Sequence, residues 1–141
     1  MAPTAPTAGA GDVHSLLRRE VLALRARESR RVFDASVHVG VLGGPRTGIV
    51  VRAVDLPVLD ASLRADLVSA LLDLAQPAWS TVWLVRPGTP ESWDADLAWW
   101  SAARVAFGMH GRQPDGCYVL TRSGWRDVLT DETRVWVRLR R

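Results

Sequence analysis

The spacing of apolar residues along the first third of the chain predicts a helix followed by a hairpin. Asp12 can cap a helix that runs to about Glu28. Its apolar positions recur every three or four residues: Val13, Leu16, Leu17, Val21 and Leu24. From about residue 32 to residue 54 the period changes to two, and the glycine-rich residues 43–48 interrupt the alternation. This pattern is typical of an antiparallel hairpin.

The middle of the chain alternates between helical and strand patterns. Asp60 or Ser62 can cap a second helix. Its predicted buried stripe is Leu63, Leu67, Ala70, Leu71 and Leu74. Residues 81–85 form a continuous apolar run that is typical of a strand covered on both faces. The segment Thr89-Pro90-Glu91 predicts the start of a third helix. Its predicted buried face holds Trp93, Leu97, Trp100 and Phe107.

The pattern in the last part of the chain predicts strands, which complete the predicted fold. Residues 117–121, 125–129 and 133–140 each carry a strand pattern. The element order is therefore α-β-β-α-β-α-β-β(-β), which favours parallel crossovers in the middle and antiparallel edges. We expect an α/β fold with a mixed sheet of five to six strands and about three helices. Residues 12–141 form a single domain in this interpretation, and residues 1–11 form a disordered tail rich in Pro, Ala, Thr and Gly.

The basic residues exclude several kinds of chemistry. All 18 are arginine, and this bias is typical of a GC-rich bacterial genome. Without lysine the chain has no Walker lysine for a nucleotide phosphate and no Schiff-base nucleophile. Kinase-type catalysis is excluded for the same reason.

Cysteine and histidine give no sign of a metal or cofactor site. Cys117 is the single cysteine and lies in an apolar run, so we expect a buried structural thiol. His14, His38 and His110 are far apart, unlike the paired ligands of a zinc site. We predict no cofactor and no metal. With no signal-peptide pattern and no long apolar run, the expected location is the cytoplasm, without membrane association.

One junction between a strand and a helix could carry an active site. Arg86 ends a predicted central strand, and Glu91 and Asp94 follow at the predicted helix start. Ligand sites in α/β sheets favour such positions. The three residues are therefore candidate catalytic groups for a small anionic substrate. Acids in a first helical turn also stabilise the helix dipole, and this purely structural interpretation stays open.

Two other features suggest an interaction surface. Trp99 points away from the predicted buried face of the third helix, and we expect it to be half exposed. On the last strand, Arg134, Trp136, Arg138 and Arg140 share one face. Arginine interleaved with an aromatic ring is typical of a surface that binds nucleic acid by stacking, but also of a charged edge strand. The net charge of +3 is modest for a nucleic-acid binder.

The order of elements from about residue 31 to residue 129 resembles the JAB/MPN fold, especially its RadC-like branch. That family carries His-x-His-Pro at the end of the strand that here ends in Arg86-Pro87, and Ser-x-x-Asp soon afterwards. Leu84 and Arg86 occupy the histidine positions, and Ser92 does not make the second spacing. The resemblance implies the scaffold without its zinc ligands and without its hydrolase activity.

The sequence as a whole favours a non-enzymatic interaction or accessory protein, with a protein partner or a second copy of itself. The first alternative is an enzyme for a small anionic substrate at residues 86–96. The second is weak nucleic-acid binding through the terminal strand.

Overall fold

The computed structural model describes residues 10–137. The elements are α1 (Ala10–Arg27), β1 (Ala35–Gly40), β2 (Arg46–Val51), a 3-10 helix (Ala53–Val58), α2 (Ala61–Leu74), β3 (Thr81–Val85), α3 (Asp94–Met109), β4 (Gly116–Thr121), β5 (Gly124–Asp127) and β6 (Thr133–Val135). Most of the predicted tail lies outside the described residues, and residues 10 and 11 already belong to α1. The last strand ends at Val135, earlier than the alternation predicts.

The six strands form one mixed sheet in the order β2-β1-β3-β4-β5-β6. Strands β3 and β4 are parallel, with Val82 opposite Cys117 and Val85 opposite Leu120. The other neighbouring strands are antiparallel, including the β1–β2 hairpin. The predicted α/β class and the mixed sheet are therefore confirmed.

Helices cover both faces of this sheet, which explains the apolar run of β3. On one face α1 packs Leu17, Val21 and Leu24 against a set of sheet residues. That set consists of Trp83, Val85, Leu120 and Trp125. On the other face α2 and α3 cover Val37, Val39, Val82, Leu84 and Cys117. Each such side chain contributes about 1.5–3 kcal/mol when fully buried. Alternate residues of β3 thus face different helices, and both sets are apolar.

The predicted buried faces of α2 and α3 are confirmed only in part: Leu71 and Phe107 are buried as predicted, and Leu67 and Trp100 are partly buried. In α2 the buried residues are Ala65, Val68, Leu71 and Leu72, whereas Leu63 and Leu74 are exposed. In α3 the buried residues are Asp96, Trp99, Ala102, Ala103, Ala106 and Phe107. Both helices carry apolar residues around most of their circumference, so the periodicity does not single out one face. Small alanines face inward in α3, where they leave room for close packing against α2 and the sheet.

Trp99 is consequently 7% exposed, and the expectation that it is half exposed is wrong. Trp93, predicted to be buried, is 44% exposed, and Leu97 is 49% exposed.

The hairpin is attached to α1 by an ion pair in which Glu20 is buried and Arg46 is partly exposed. Glu20 accepts hydrogen bonds from the Arg46 guanidinium, at 2.7 Å to Nη1, and from the Gly43 amide at 2.9 Å. Burial alone would raise the pKa of Glu20, but these donors together lower it below its ordinary value. Beside this pair, His38 stacks on Trp83 with ring centroids 5.6 Å apart. Burial and the positive charges of Arg46 and Arg27 lower the pKa of His38 to about 4.

Within residues 10–137, the helices are all too short or too polar to cross a bilayer.

Candidate functional site

Arg86 lies where the sequence predicts, at the end of β3, but it is buried in the protein. Its side chain is 3% exposed, and Nε and Nη2 donate to the two carboxylate oxygens of Asp96, both at 2.8 Å. Nη1 donates to the carbonyl of Thr89 at 2.7 Å, and the Trp93 ring lies 3.7 Å from the guanidinium carbon. Asp96, which the sequence analysis did not single out, is the principal partner of this arginine.

Glu91 and Asp94 do not join Arg86. Both residues are exposed. Arg86 contacts Glu91 only through the backbone carbonyl, which accepts from Nη2 at 2.7 Å. The three side chains predicted as a site are therefore not brought together.

A second arginine completes a buried group that we call the arginine–aspartate cluster: Arg86, Asp96 and Arg126. Arg126 Nη2 donates to Asp96 at 3.1 Å, and its Nε donates to the Pro90 carbonyl at 2.8 Å. The Arg126 and Asp96 side chains are 3% and 0% exposed. Two guanidinium groups thus share one carboxylate, and their remaining donors go largely to backbone carbonyls.

These carbonyls belong to residues 87–91, which explains why α3 starts late. The carbonyl oxygens of Pro87, Thr89, Pro90 and Glu91 accept from the two arginines. They are held in a loop and do not begin the predicted helix at Thr89, so α3 begins at Asp94. Gly88 has a φ of +88°, and an added Cβ would meet the Trp93 ring at 2.9 Å, so this turn of the loop requires glycine.

The outer side of this loop forms one wall of a cleft that we call the arginine cleft. Its volume is about 490 Å³. The lining residues are Arg25, Arg31, Phe33, Pro87, Gly88, Thr89, Arg122, Ser123, Trp136 and Val137.

Five separate parts of the chain meet at this cleft because of the sheet topology. Since β3 and β4 are parallel, the segments that follow them, with Thr89 and Arg122, leave the sheet at the same end. The end of α1 supplies Arg25, the α1–β1 connection supplies Arg31 and Phe33, and the residues after β6 supply Trp136. Ligands of α/β sheets bind at this end of the strands.

The arginines of the cleft differ from the buried pair in their partners. Among residues 10–137, no carboxylate forms an ion pair with Arg25, Arg31 or Arg122. Arg25 Nη1 donates to the Arg122 carbonyl at 3.4 Å. The Nε of Arg122 is buried and has no acceptor among the described residues. The lining therefore holds three positive charges and no carboxylate.

Two aromatic rings border these charges. Trp136 is positioned by its backbone amide, which donates to the Ser123 carbonyl at 2.8 Å. Its ring and that of Phe33 are partly buried against the α1 side of the core. Arg134 lies opposite Trp125 on this face of the sheet and is exposed. Arg138 and Arg140, predicted to extend the same surface, lie outside the described residues.

The cleft has hydrogen-bond donors that suit an anion, but its described lining offers few groups for acid–base catalysis. Its described lining contains the hydroxyls of Thr89 and Ser123, but no histidine, carboxylate or thiol. Proton transfer near neutral pH usually relies on one of those groups.

A second depression, of about 660 Å³, lies beside the amino end of β4. It is lined by Trp100, Arg104 and Arg112, among others. Arg112, however, donates to the carbonyls of Pro77 and Trp79, both at 2.8 Å, and so ties two loops together. The arginine cleft is therefore the better candidate.

The sequence contains a signal for the cleft, although its arginines were not among the predicted site residues. Arg25, Arg27, Arg30 and Arg31 lie within seven residues, directly before the first strand. Such a run at a helix end suggests an electropositive edge. By contrast, nothing local marks Asp96 as the partner of Arg126.

Within residues 10–137, no group of three His, Cys, Asp or Glu residues is placed to hold a metal ion. Comparison of the chain with protein-family models, curated proteins and solved structures finds no match. The resemblance to the JAB/MPN fold therefore stays a prediction.

Proposed function

We propose that this protein is a non-enzymatic binding module that holds an anionic ligand in the arginine cleft. The observation that supports the proposal is the convergence of Arg25, Arg31 and Arg122, without ion pairs, beside Phe33 and Trp136. Guanidinium groups bind phosphate and carboxylate through paired hydrogen bonds. Aromatic rings add contact area for a planar or apolar part of the ligand. The cleft thus suits an anion that also carries such a part.

The helix dipole does not account for the whole group. Arg25 lies in the last turn of α1, where a positive charge stabilises the helix. Arg31 and Arg122 lie outside the helices, in the connection after α1 and in the turn after β4. Three like charges around one cleft repel one another, and a bound anion would relieve that repulsion.

Calorimetric titration with ATP and with pyrophosphate tests this proposal. We expect binding of one or both, and we expect Arg31→Gln combined with Arg122→Gln to weaken it about tenfold or more, since hydrogen bonds to charged groups contribute about 1.5–3 kcal/mol. Arg104→Gln is the matched control, because Arg104 is an exposed arginine on α3, on the other face of the sheet. Equal affinities for the wild type, the double variant and the control would overturn the proposal.

Self-association is the second candidate function, and the 3-10 helix supports it. Val54, Leu56 and Val58 are 72%, 54% and 69% exposed on this one short segment. The segment directly follows β2, which lies at one edge of the sheet. Two copies of an antiparallel edge strand can pair symmetrically, satisfying backbone groups and covering apolar side chains. Sedimentation tests this candidate, and a monomer at all concentrations would contradict it.

Composition supports a cytoplasmic location in a GC-rich bacterium, which we propose as the setting of this function. The basic residues are all arginine, and the single cysteine, Cys117, is buried as a free thiol. Fractionation of cells that produce the protein tests the location.

A further inference from the structure

We propose that the ligand is single-stranded nucleic acid several nucleotides long, held across the arginine cleft and the depression next to it. This inference rests on the proposed function, since it names the ligand of the same cleft.

The arginine cleft continues into a second concave surface. A neighbouring depression of about 320 Å³ is lined by Arg27, Arg30, Phe33 and Ser36, together with other residues. Phe33 lines both depressions, so they are adjacent and share a wall. The first depression alone has the size of a small-molecule site, and the second extends it along the end of the sheet.

Arginines follow the whole of this surface. Arg25, Arg31 and Arg122 line the first depression, and Arg27 and Arg30 line the second. Arg30 and Arg31 are neighbours in sequence but line different depressions. Positive charges that recur along a groove match a chain of phosphates better than a single phosphate.

Acidic residues are confined to the second depression. Glu28 and Asp34 line it, and Glu28 binds Arg30 through Nε at 2.6 Å. This hydrogen bond is the main reason why the pKa of Glu28 lies below its ordinary value. Arg30 is therefore already paired, which leaves four arginines for the ligand.

The aromatic rings favour a single strand over a duplex. Bases stack on exposed aromatic faces only when they are unpaired, and such stacking depends little on sequence. Trp136 lines the first depression and Phe33 lines both, so each depression combines arginines with an aromatic ring. Four phosphate contacts on a single strand predict that the logarithm of the affinity falls with the logarithm of salt concentration with a slope of about 3.

Fluorescence anisotropy with the full-length protein tests the inference. The labelled probes are a mononucleotide and mixed-sequence oligonucleotides of about four and about twelve residues, in DNA and RNA forms, with a duplex for comparison. We expect affinity to rise with length, to fall with salt as above, and to be lower for the duplex.

Four variants locate the contacts. We expect Arg31→Gln to weaken the binding of every probe. Arg27→Gln should weaken the binding of the longer probes only, because Arg27 lines the second depression and not the first. Trp136→Leu lowers affinity about tenfold while keeping an apolar side chain, and Trp136→Phe, which retains a ring, binds nearly normally. Arg104→Gln on α3 again serves as the control.

The outcomes separate this inference from the proposed function. Binding that is independent of length, with no effect of Arg27→Gln, would overturn the nucleic-acid inference and leave a cleft for a small anion. Tighter binding of the duplex, or binding insensitive to salt, would also overturn it. Failure of the folded protein to bind any oligonucleotide, ATP or pyrophosphate would overturn both proposals.

Discussion

Two groups of arginines border the loop 87–91 and differ in exposure and in partners: one group donates to its carbonyls, and the other lines the cleft that residues 87–89 also line. In the arginine–aspartate cluster, the side chains of Arg86 and Arg126 are each 3% exposed and share the carboxylate of Asp96. In the arginine cleft, Arg25, Arg31 and Arg122 face a solvent-accessible concavity without an ion pair among the described residues. The first group has its hydrogen bonds satisfied within the protein, whereas the second does not.

The difference shows that residue type alone does not identify a binding group. A buried guanidinium must be paired and hydrogen-bonded within the protein, so its donors are not available to a ligand. Its donors hold residues 87–91 in place, and this loop forms a wall of the cleft. The buried arginines therefore hold in place a wall of the cleft that Arg25, Arg31 and Arg122 line.

The largest effect that we predict comes from breaking the buried cluster. Asp96→Asn removes the buried carboxylate that Arg86 and Arg126 share, and we expect the free energy of unfolding to fall by about 3–5 kcal/mol. Urea denaturation measures it. The matched control is Asp131→Asn, because Asp131 also accepts from Arg126, at 3.2 Å, but its side chain is 79% exposed. Its φ of 65° is one that asparagine tolerates, so we expect a loss below about 1 kcal/mol. Equal losses would contradict the distinction between buried and exposed pairs.

A smaller effect is expected from His38, which shares the α1 side of the sheet with the cleft. Because the folded protein holds the pKa of His38 near 4, against an ordinary value of 6.5, the unfolded chain binds a proton more readily in this range. Stability is therefore lost as the pH falls from about 6.5 to 4, by at most about 3 kcal/mol.

The control for this prediction is His38→Gln. Carboxylates titrate in the same range, so the informative quantity is the difference between the pH profiles of the wild type and the variant. Parallel profiles would show that His38 is not held neutral.

The third prediction concerns the stability of variants at the cleft arginines. Arg31→Gln combined with Arg122→Gln should change the free energy of unfolding by no more than about 0.5 kcal/mol, because neither arginine has an ion pair to lose. Arg126→Gln, measured in the same way, should cost several times more. If the cleft variant is as unstable as Arg126→Gln, the cleft arginines are structural and the comparison fails.

The smallest effect concerns Cys117, a buried thiol whose reactivity measures how often the core opens. Burial raises the pKa of its thiol to about 12, and the negative charges of Asp96 and Asp127 add to this shift. Because only the thiolate reacts, we expect negligible alkylation of the folded protein by iodoacetamide. Mass spectrometry of the treated protein measures the alkylated fraction. Asp96→Asn should react measurably faster and Asp131→Asn no faster than the wild type. Rapid labelling of the wild type would mean that the core opens easily.

Local patterns along the chain predict the order of the main helices and strands and the class of the fold, but not the start of α3 or the 3-10 helix. The hairpin, the cap at Asp60 and the buried strand β3 are where the pattern predicts them. These features depend on local rules, namely side-chain alternation, helix capping and turn formation, which a short stretch of chain contains. The run of arginines at residues 25–31 also marks an electropositive edge in advance.

The pairing of the arginines, in contrast, depends on the tertiary structure. Arg126 meets Asp96 from 30 positions away, and the cleft joins residues from Arg25 to Val137. The inward face of α3 was likewise decided by its neighbours, because apolar residues surround that helix and small alanines fit closest to α2 and the sheet. The physical reason is that burial and charge pairing depend on which strands become neighbours. A parallel pair such as β3 and β4 brings together the ends of segments that the sequence keeps far apart.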